Sequence, residues 1–202
     1  MSTRRILING PSGSGKTTLG RRLGKALGVP HIELDSFMHM RGWQERDPNE
    51  FRADIAARLA AAPDGWVVDG NYTQATGSLV LDQADLIVWL RLPFWRVYPA
   101  LAWRTVRRAI THQELWNGNR EEWHMMFSRD SMLLWGITAW RRHHERLGAR
   151  LRTERPPHVR VAIVRSRRQM DRLVRLIEAE ARAAAPGGSS LIPHPPPWHR
   201  IA

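Results

Sequence analysis

The residues most able to do chemistry stand close to the N-terminus. Gly10-Pro11-Ser12-Gly13-Ser14-Gly15-Lys16-Thr17 satisfies G-x-x-x-x-G-K-[ST], preceded by an apolar run and followed by a helical pattern. Such a loop needs glycines so that successive backbone N–H groups can turn inward onto a polyphosphate, and a helix start adds its positive dipole end. The segment Gly10–Thr18 is therefore predicted to cradle a nucleoside triphosphate, with Gly10, Ser12, Gly13, Ser14, Gly15 and Thr18 wrapping the phosphates. Lys16 would reach the β- and γ-phosphates, and the Thr17 hydroxyl would bind Mg²⁺.

Two carboxylates follow short apolar runs, Asp35 after His31-Ile32-Glu33-Leu34 and Asp69 after Trp66-Val67-Val68. In open α/β sheets the reacting groups gather at the carboxyl ends of strands. Asp35 and Asp69 are thus expected beside Thr17, orienting Mg²⁺ through water or accepting a proton from an acceptor hydroxyl. Each also fits a local role, Asp35 as a helix cap and Asp69 in an Asp-Gly turn, and the spacing does not say which would be the base.

A third group is cationic. Arg104, Arg107 and Arg108 share approximately one face of a helix, and Thr111–Arg120 then breaks the helical pattern. Arginines on a segment of this kind could close over a triphosphate as a lid, with Arg107 and Arg120 the candidates to enter the site; a solvated helix end is the alternative. Trp43, in the polar stretch Arg41–Arg46, offers either a flat surface for a substrate or a hydrophobic staple for the helix predicted at Asp47. His39, His143 and His144 lack metal-ligand spacing.

These groups must be positioned by alternating strands and helices. Strands are predicted at Arg5–Asn9, 31–34, 66–68, Leu86–Leu90 and 159–164. Helices are predicted from Thr17 to Leu27, after the cap Asp47-Pro48-Asn49-Glu50, from Pro93 to about Ile110 with a kink at Pro99, from about Glu121, and around Met170–Ile177. The Glu121 helix would carry a stripe of Trp123, Met126, Phe127, Leu133, Leu134, Ile137 and Trp140. This alternation implies an α/β fold with a five-stranded parallel sheet covered on both faces. Residues 1–185 form one domain, and the Pro/Gly/Ser-rich 186–202 is predicted to be a disordered tail.

Composition narrows the classes. The 202 residues are 43% hydrophobic, enough for a core, and contain no cysteine, which excludes disulfides and points to a reducing, cytoplasmic setting. No apolar run has membrane length, and no signal peptide is recognised. The net charge of +12 arises wholly from residues 91–202. That basic half leaves nucleic acid open as a partner, or is a solvated helical face.

Taken together, these residues resemble the small P-loop kinases, the fold shared by adenylate, shikimate and gluconate kinases. The combination of the phosphate loop with Leu34-Asp35, Gly42-Trp43, Val68-Asp69-Gly70-Asn71-Tyr72 and Leu115-Trp116-Asn117-Gly118-Asn119-Arg120-Glu121 is more closely similar to bacterial topology modulation proteins, or adenylate-kinase-like ATPases. The resemblance covers residues 4–180. It implies a P-loop NTPase three-layer sandwich of nucleoside-monophosphate-kinase type, ATP and Mg²⁺ as ligands, an acceptor-binding insert around 36–62 and a helical lid around 104–120. It further implies that Asp35 contacts the acceptor and that adenine rests near Arg165-Ser166-Arg167. Adenylate kinase's own acceptor motifs are missing. The leading expectation is transfer of the ATP γ-phosphate to a small hydroxyl- or phosphate-bearing acceptor by a monomer or homodimer. The alternative is an ATP-dependent, nucleic-acid-associated binding protein.

Overall fold

The computed structural model describes residues 3–120 and 132–184, so the predicted onset at Glu121, with Trp123, Met126 and Phe127, and the tail 186–202 lie outside the described residues. Five strands, β1 (Arg5–Asn9), β2 (His31–Glu33), β3 (Trp66–Asp69), β4 (Leu86–Leu90) and β5 (Arg160–Val164), form one parallel sheet in the order β2-β3-β1-β4-β5. The described helices are α1 (Lys16–Leu27), α2 (Asp35–Met38), α3 (Pro48–Ala60), α4 (Thr73–Thr76), α5 (Leu79–Gln83), α6 (Phe94–Thr111), α7 (Met132–Thr153) and α8 (Arg167–Ala183). Among the described residues no helix is long and apolar enough to cross a membrane.

Alternation along the strands explains the layers, since successive side chains point to opposite faces. Ile6 and Ile8 of β1, with Val67, Val88 and Leu90, pack against Leu19, Leu23 and Leu27 of α1 and Met170, Leu173, Val174 and Ile177 of α8. Leu7, Val68, Ile87 and Trp89 face the other way, onto Phe51, Ile55 and Leu59 of α3 and Leu147 and Leu151 of α7. Sheets buried on both faces read as nearly continuous apolar runs, as these strands do.

Local signals set the helix ends. Asp47 Oδ1 accepts from the N–H groups of Asn49 (2.8 Å) and Glu50 (3.2 Å), with Pro48 at the first helical position of α3. One boundary differs from the sequence expectation. β2 ends at Glu33 rather than Leu34, because Leu34, whose N–H makes a last bond to Asp69 O (2.9 Å), turns to helical φ −60° and ψ −32° as Asp35 opens α2. α6 continues through Pro99 from Phe94 to Thr111.

Histidines 143 and 144 belong to the packed interior. His144 Nδ1 accepts from Trp89 Nε1 at 3.1 Å. Burial pushes the two rings down to about 3 and about 4, so both are neutral and structural near pH 7.

Candidate functional site

Parallel order brings the carboxyl ends of β1, β2 and β3 to one edge, and each delivers a functional group there. β1 ends at Asn9 and runs into the phosphate loop. Gly13 has φ 82°, a left-handed conformation that favours glycine, and a side chain there would meet Val97 O at 2.9 Å and Leu101 Cβ at 3.0 Å of α6. The loop is stapled to the end of β3. Asn71 Nδ2 donates to Gly10 O (2.8 Å), Gly10 N–H donates to Asn71 Oδ1 (3.2 Å), and Asn9 Nδ2 donates to Gly70 O (2.6 Å).

Lys16 and Thr17 start α1 directly behind the loop. Lys16 is only 9% exposed, and its Nζ donates to Pro11 O at 3.3 Å. Burial lowers its pKa, as does nearby Arg104, against the attraction of Asp35, Asp69 and Glu33. The Thr17 hydroxyl donates to Glu33 Oε1 at 3.0 Å and lies 3.5 Å from Asp69 Oδ1. Asp69, fully buried, receives His31 Nε2–H on its other oxygen at 2.6 Å. His31 thus fixes the orientation of Asp69 toward Thr17.

That pair depends on a glycine. A Cβ on Gly20 of α1 would stand 2.6 Å from His31 Cδ2, closer still to Nε2, and 3.3 Å from Asp69 Oδ2. Gly20→Ala is expected to displace His31 and lower stability by about 1–3 kcal/mol, as overpacking of a filled site does, measured by urea denaturation. Unchanged stability would mean that the ring moves aside freely.

The sequence reading passed over Glu33. Ending β2 one residue early places Glu33 opposite Asp69 in the ladder, half-buried beside Thr17. Its pKa is raised, chiefly by burial and then by Asp69. Glu33 and Asp69 thus gather about the Thr17 hydroxyl, and with Asp35 they surround one buried ammonium, Lys16. Among the described residues no three His, Cys, Asp or Glu side chains form a metal cage. The set fits Mg²⁺, which favours a few oxygen ligands completed by phosphate and water.

The crowding has a sign. A carboxylate whose folded pKa exceeds its unfolded value stabilises the fold at low pH, and this contribution is lost as pH rises through the folded pKa. Glu33→Gln is therefore expected to raise the melting temperature of the ligand-free protein at neutral pH and flatten its decline with pH. The same change should weaken Mg²⁺-dependent nucleotide binding. Calorimetry with and without Mg²⁺ checks both, and a lower melting temperature would show that Glu33 is held there by favourable contacts.

One cavity of about 1080 Å³ joins these groups to the predicted insert and lid. Ser12, Gly13, Gly15, Lys16, Thr17, Thr18, Glu33 and Asp35 form its floor, Arg104, Arg107 and Arg108 of α6 line one wall, and His39, Trp43, Tyr72 and Trp116 line another. Arg120 is not in the lining. Its guanidinium lies 3.6 Å from Glu114.

The segments predicted as insert and lid meet directly. Asn117 Nδ2 donates to His39 O (2.6 Å), and Asn119 Nδ2 donates to Met40 O (2.8 Å). Asn119 Oδ1 accepts from Trp43 N–H (3.0 Å), and Trp43 Nε1–H donates to Arg120 O (3.2 Å). Trp43 and Asn117 both adopt φ 58°, an uncommon conformation held by this docking. Trp43 therefore does not act as a staple for α3. It borders the cavity, edge-on to His39 at 5.6 Å.

A family profile described as "AAA domain" matches residues 6–91. No curated protein matches the sequence. Among solved structures, a gluconokinase from Sinorhizobium meliloti 1021 superposes with TM-score 0.50 at 19% identity, over 89% of this chain and 91% of that one. A shikimate kinase from Acinetobacter baumannii in complex with shikimate does so with TM-score 0.50 at 18% identity, over 87% and 93%. Sheet order, phosphate loop and these two likenesses together give the chain the α/β fold of the P-loop kinases.

Proposed function

We propose that this protein transfers the γ-phosphate of ATP to a hydroxyl group of a small molecule. The observation that carries the reading is a single cavity holding a triphosphate cradle with buried Lys16 and, beside it, Asp35 and an aromatic-walled chamber. The nucleotide enters as substrate. Loop N–H groups and the N-terminus of the 12-residue α1 face its phosphates, and Lys16 neutralises the β- and γ-oxygens. Mg²⁺, held through Thr17 with Glu33, Asp35 and Asp69 around it, would supply charge neutralisation of the bridging phosphates.

Asp35 takes the proton of the acceptor hydroxyl as the new O–P bond forms and the bond from Pγ to the β-bridging oxygen breaks, leaving ADP. Arg104 and its neighbours Arg107 and Arg108 face the charge that spreads over the transferring group. The base of the nucleotide rests toward the start of α8, where Met170 approaches Gly15 and Ser166 caps the helix. The closer likeness to bacterial topology modulation proteins rests on the motifs Val68–Tyr72 and Leu115–Glu121, and a monomer or homodimer in the cytoplasm fits it.

The test is transfer of labelled γ-phosphate from Mg²⁺–ATP into a pooled extract of small metabolites. A new labelled product is expected. Label released only as free phosphate, or none at all, would sink the kinase reading.

A further inference from the structure

Resting on that kinase reading, the wall around the acceptor chamber speaks to the kind of molecule received. Tyr72 lies close to Asp35, and its hydroxyl is 3.0 Å from His39 Nε2. His39 in turn faces Trp43 edge-on and lies 6.1 Å from the nearly parallel Trp116 ring. The chamber therefore proceeds from the proton-accepting carboxylate outward along four aromatic rings.

The Tyr72 hydroxyl and His39 Nε2 share one hydrogen bond, and His39 Nδ1 is buried without a hydrogen-bond partner among the described residues. Glu45 and Glu114 line the same cavity, as do Lys16, Arg21, Arg104, Arg107 and Arg108.

A hydroxy acid or a phosphorylated acceptor needs a cation at the end of the chamber away from the phosphoryl donor. The insert has four arginines, and none lines the cavity. Arg46 pairs with Asp54, Arg58 stacks over Phe37 at 4.1 Å, Arg52 lies against Gly77, and Arg41 is exposed. Four arginines line the cavity: Arg21 of α1, paired with Glu33 at 3.8 Å, and Arg104, Arg107 and Arg108 of α6, which packs on the phosphate loop at Gly13, so all four stand on elements of the triphosphate side.

We infer that the acceptor is a planar-ring alcohol carrying no carboxylate or phosphate, for example a heteroaromatic methanol or a nucleoside. Its ring packs against Trp43 and Trp116, and its hydroxyl points to Asp35. Trp43 uses its indole N–H on Arg120 O, so the ring surface is what it offers a ligand.

The experiment loads the full-length protein with Mg²⁺ and a non-hydrolysable ATP analogue, then titrates two probe series by calorimetry and ligand-observed NMR. One series comprises nucleosides and pyridine or pyrimidine methanols. The other comprises gluconate-like and shikimate-like hydroxy acids and nucleoside monophosphates. The ring alcohols are expected to bind roughly tenfold or more tightly than the acids, the scale of one good stacking contact. Trp116→Ala should weaken them roughly tenfold while Trp116→Phe largely restores binding, with the affinity for the ATP analogue unchanged in both.

Tighter or equal binding of the acids would overturn the inference. So would ring binding indifferent to Trp116→Ala, or no binding of either series by protein that still takes up the ATP analogue. If the ATP analogue itself does not bind, the kinase reading falls first and the acceptor class falls with it.

Discussion

Replacing Lys16 with alanine is expected to lower phosphoryl transfer by about 10²–10³-fold or more, the loss seen when one preorganised charge-stabilising donor is removed from a dry site. The argument begins with burial. Lys16 is an ammonium out of water, with a pKa lowered mainly by desolvation and supported by Asp35, Asp69 and Glu33. A protein keeps so costly a group where an anion is to be received. Lys16→Arg should fare little better, because a planar fork cannot take the place of a compact ammonium hydrogen-bonded to Pro11 O. Without Lys16 the three carboxylates face one another unrelieved. The ligand-free variant should lose stability relative to wild type as pH rises above the ordinary carboxylate range. Steady-state transfer assays and melting curves across pH check both effects. Wild-type transfer by Lys16→Ala would remove the phosphate loop from the mechanism.

Asp35→Asn is expected to cost about 10²–10⁴-fold in transfer, the usual contribution of a positioned general base. Affinity for the ATP analogue should change little, because the loop and Lys16 remain. The substitution is nearly isosteric, and an amide can still meet the Tyr72 hydroxyl, so the fold should persist. Comparing kcat with nucleotide affinity separates the two candidate roles. A large loss of Mg²⁺-dependent nucleotide binding with modest loss of kcat would make Asp35 a metal-orienting group and leave the base to be found elsewhere. Asp69 offers the contrast: fully buried and held by His31, it cannot move toward an acceptor.

Much of this was legible in the chain itself. The phosphate loop was readable because only a few residue types allow inward-turned N–H groups at that spacing, and buried parallel strands announce themselves as short apolar runs. Asp35 and Asp69 were readable as strand-end carboxylates, and the α6 arginines as one helix face. Glu33 was not. Its role rests on the parallel register that sets it opposite Asp69 and on the bond it accepts from the Thr17 hydroxyl, tertiary contacts without local signature. Arg120 stood out by its charge, yet its backbone carbonyl is what contacts Trp43. Trp43 reads from sequence as a substrate surface or a staple, and the Asn119 side chain, remote in sequence, holds its N–H. Long-range side-chain-to-backbone bonds of this kind leave no periodicity to read.

The docking of residues 117–119 on residues 39–43 has a consequence for how such a scaffold can diversify. Asn117 and Asn119 grip main-chain groups, the carbonyls of His39 and Met40 and the N–H of Trp43. A main-chain grip is blind to side-chain identity. Mutations at a lining position such as Glu45 can therefore reshape the chamber while leaving these main-chain contacts untouched. Selectivity for new acceptors becomes accessible by single steps, without a passage through variants whose lid no longer docks.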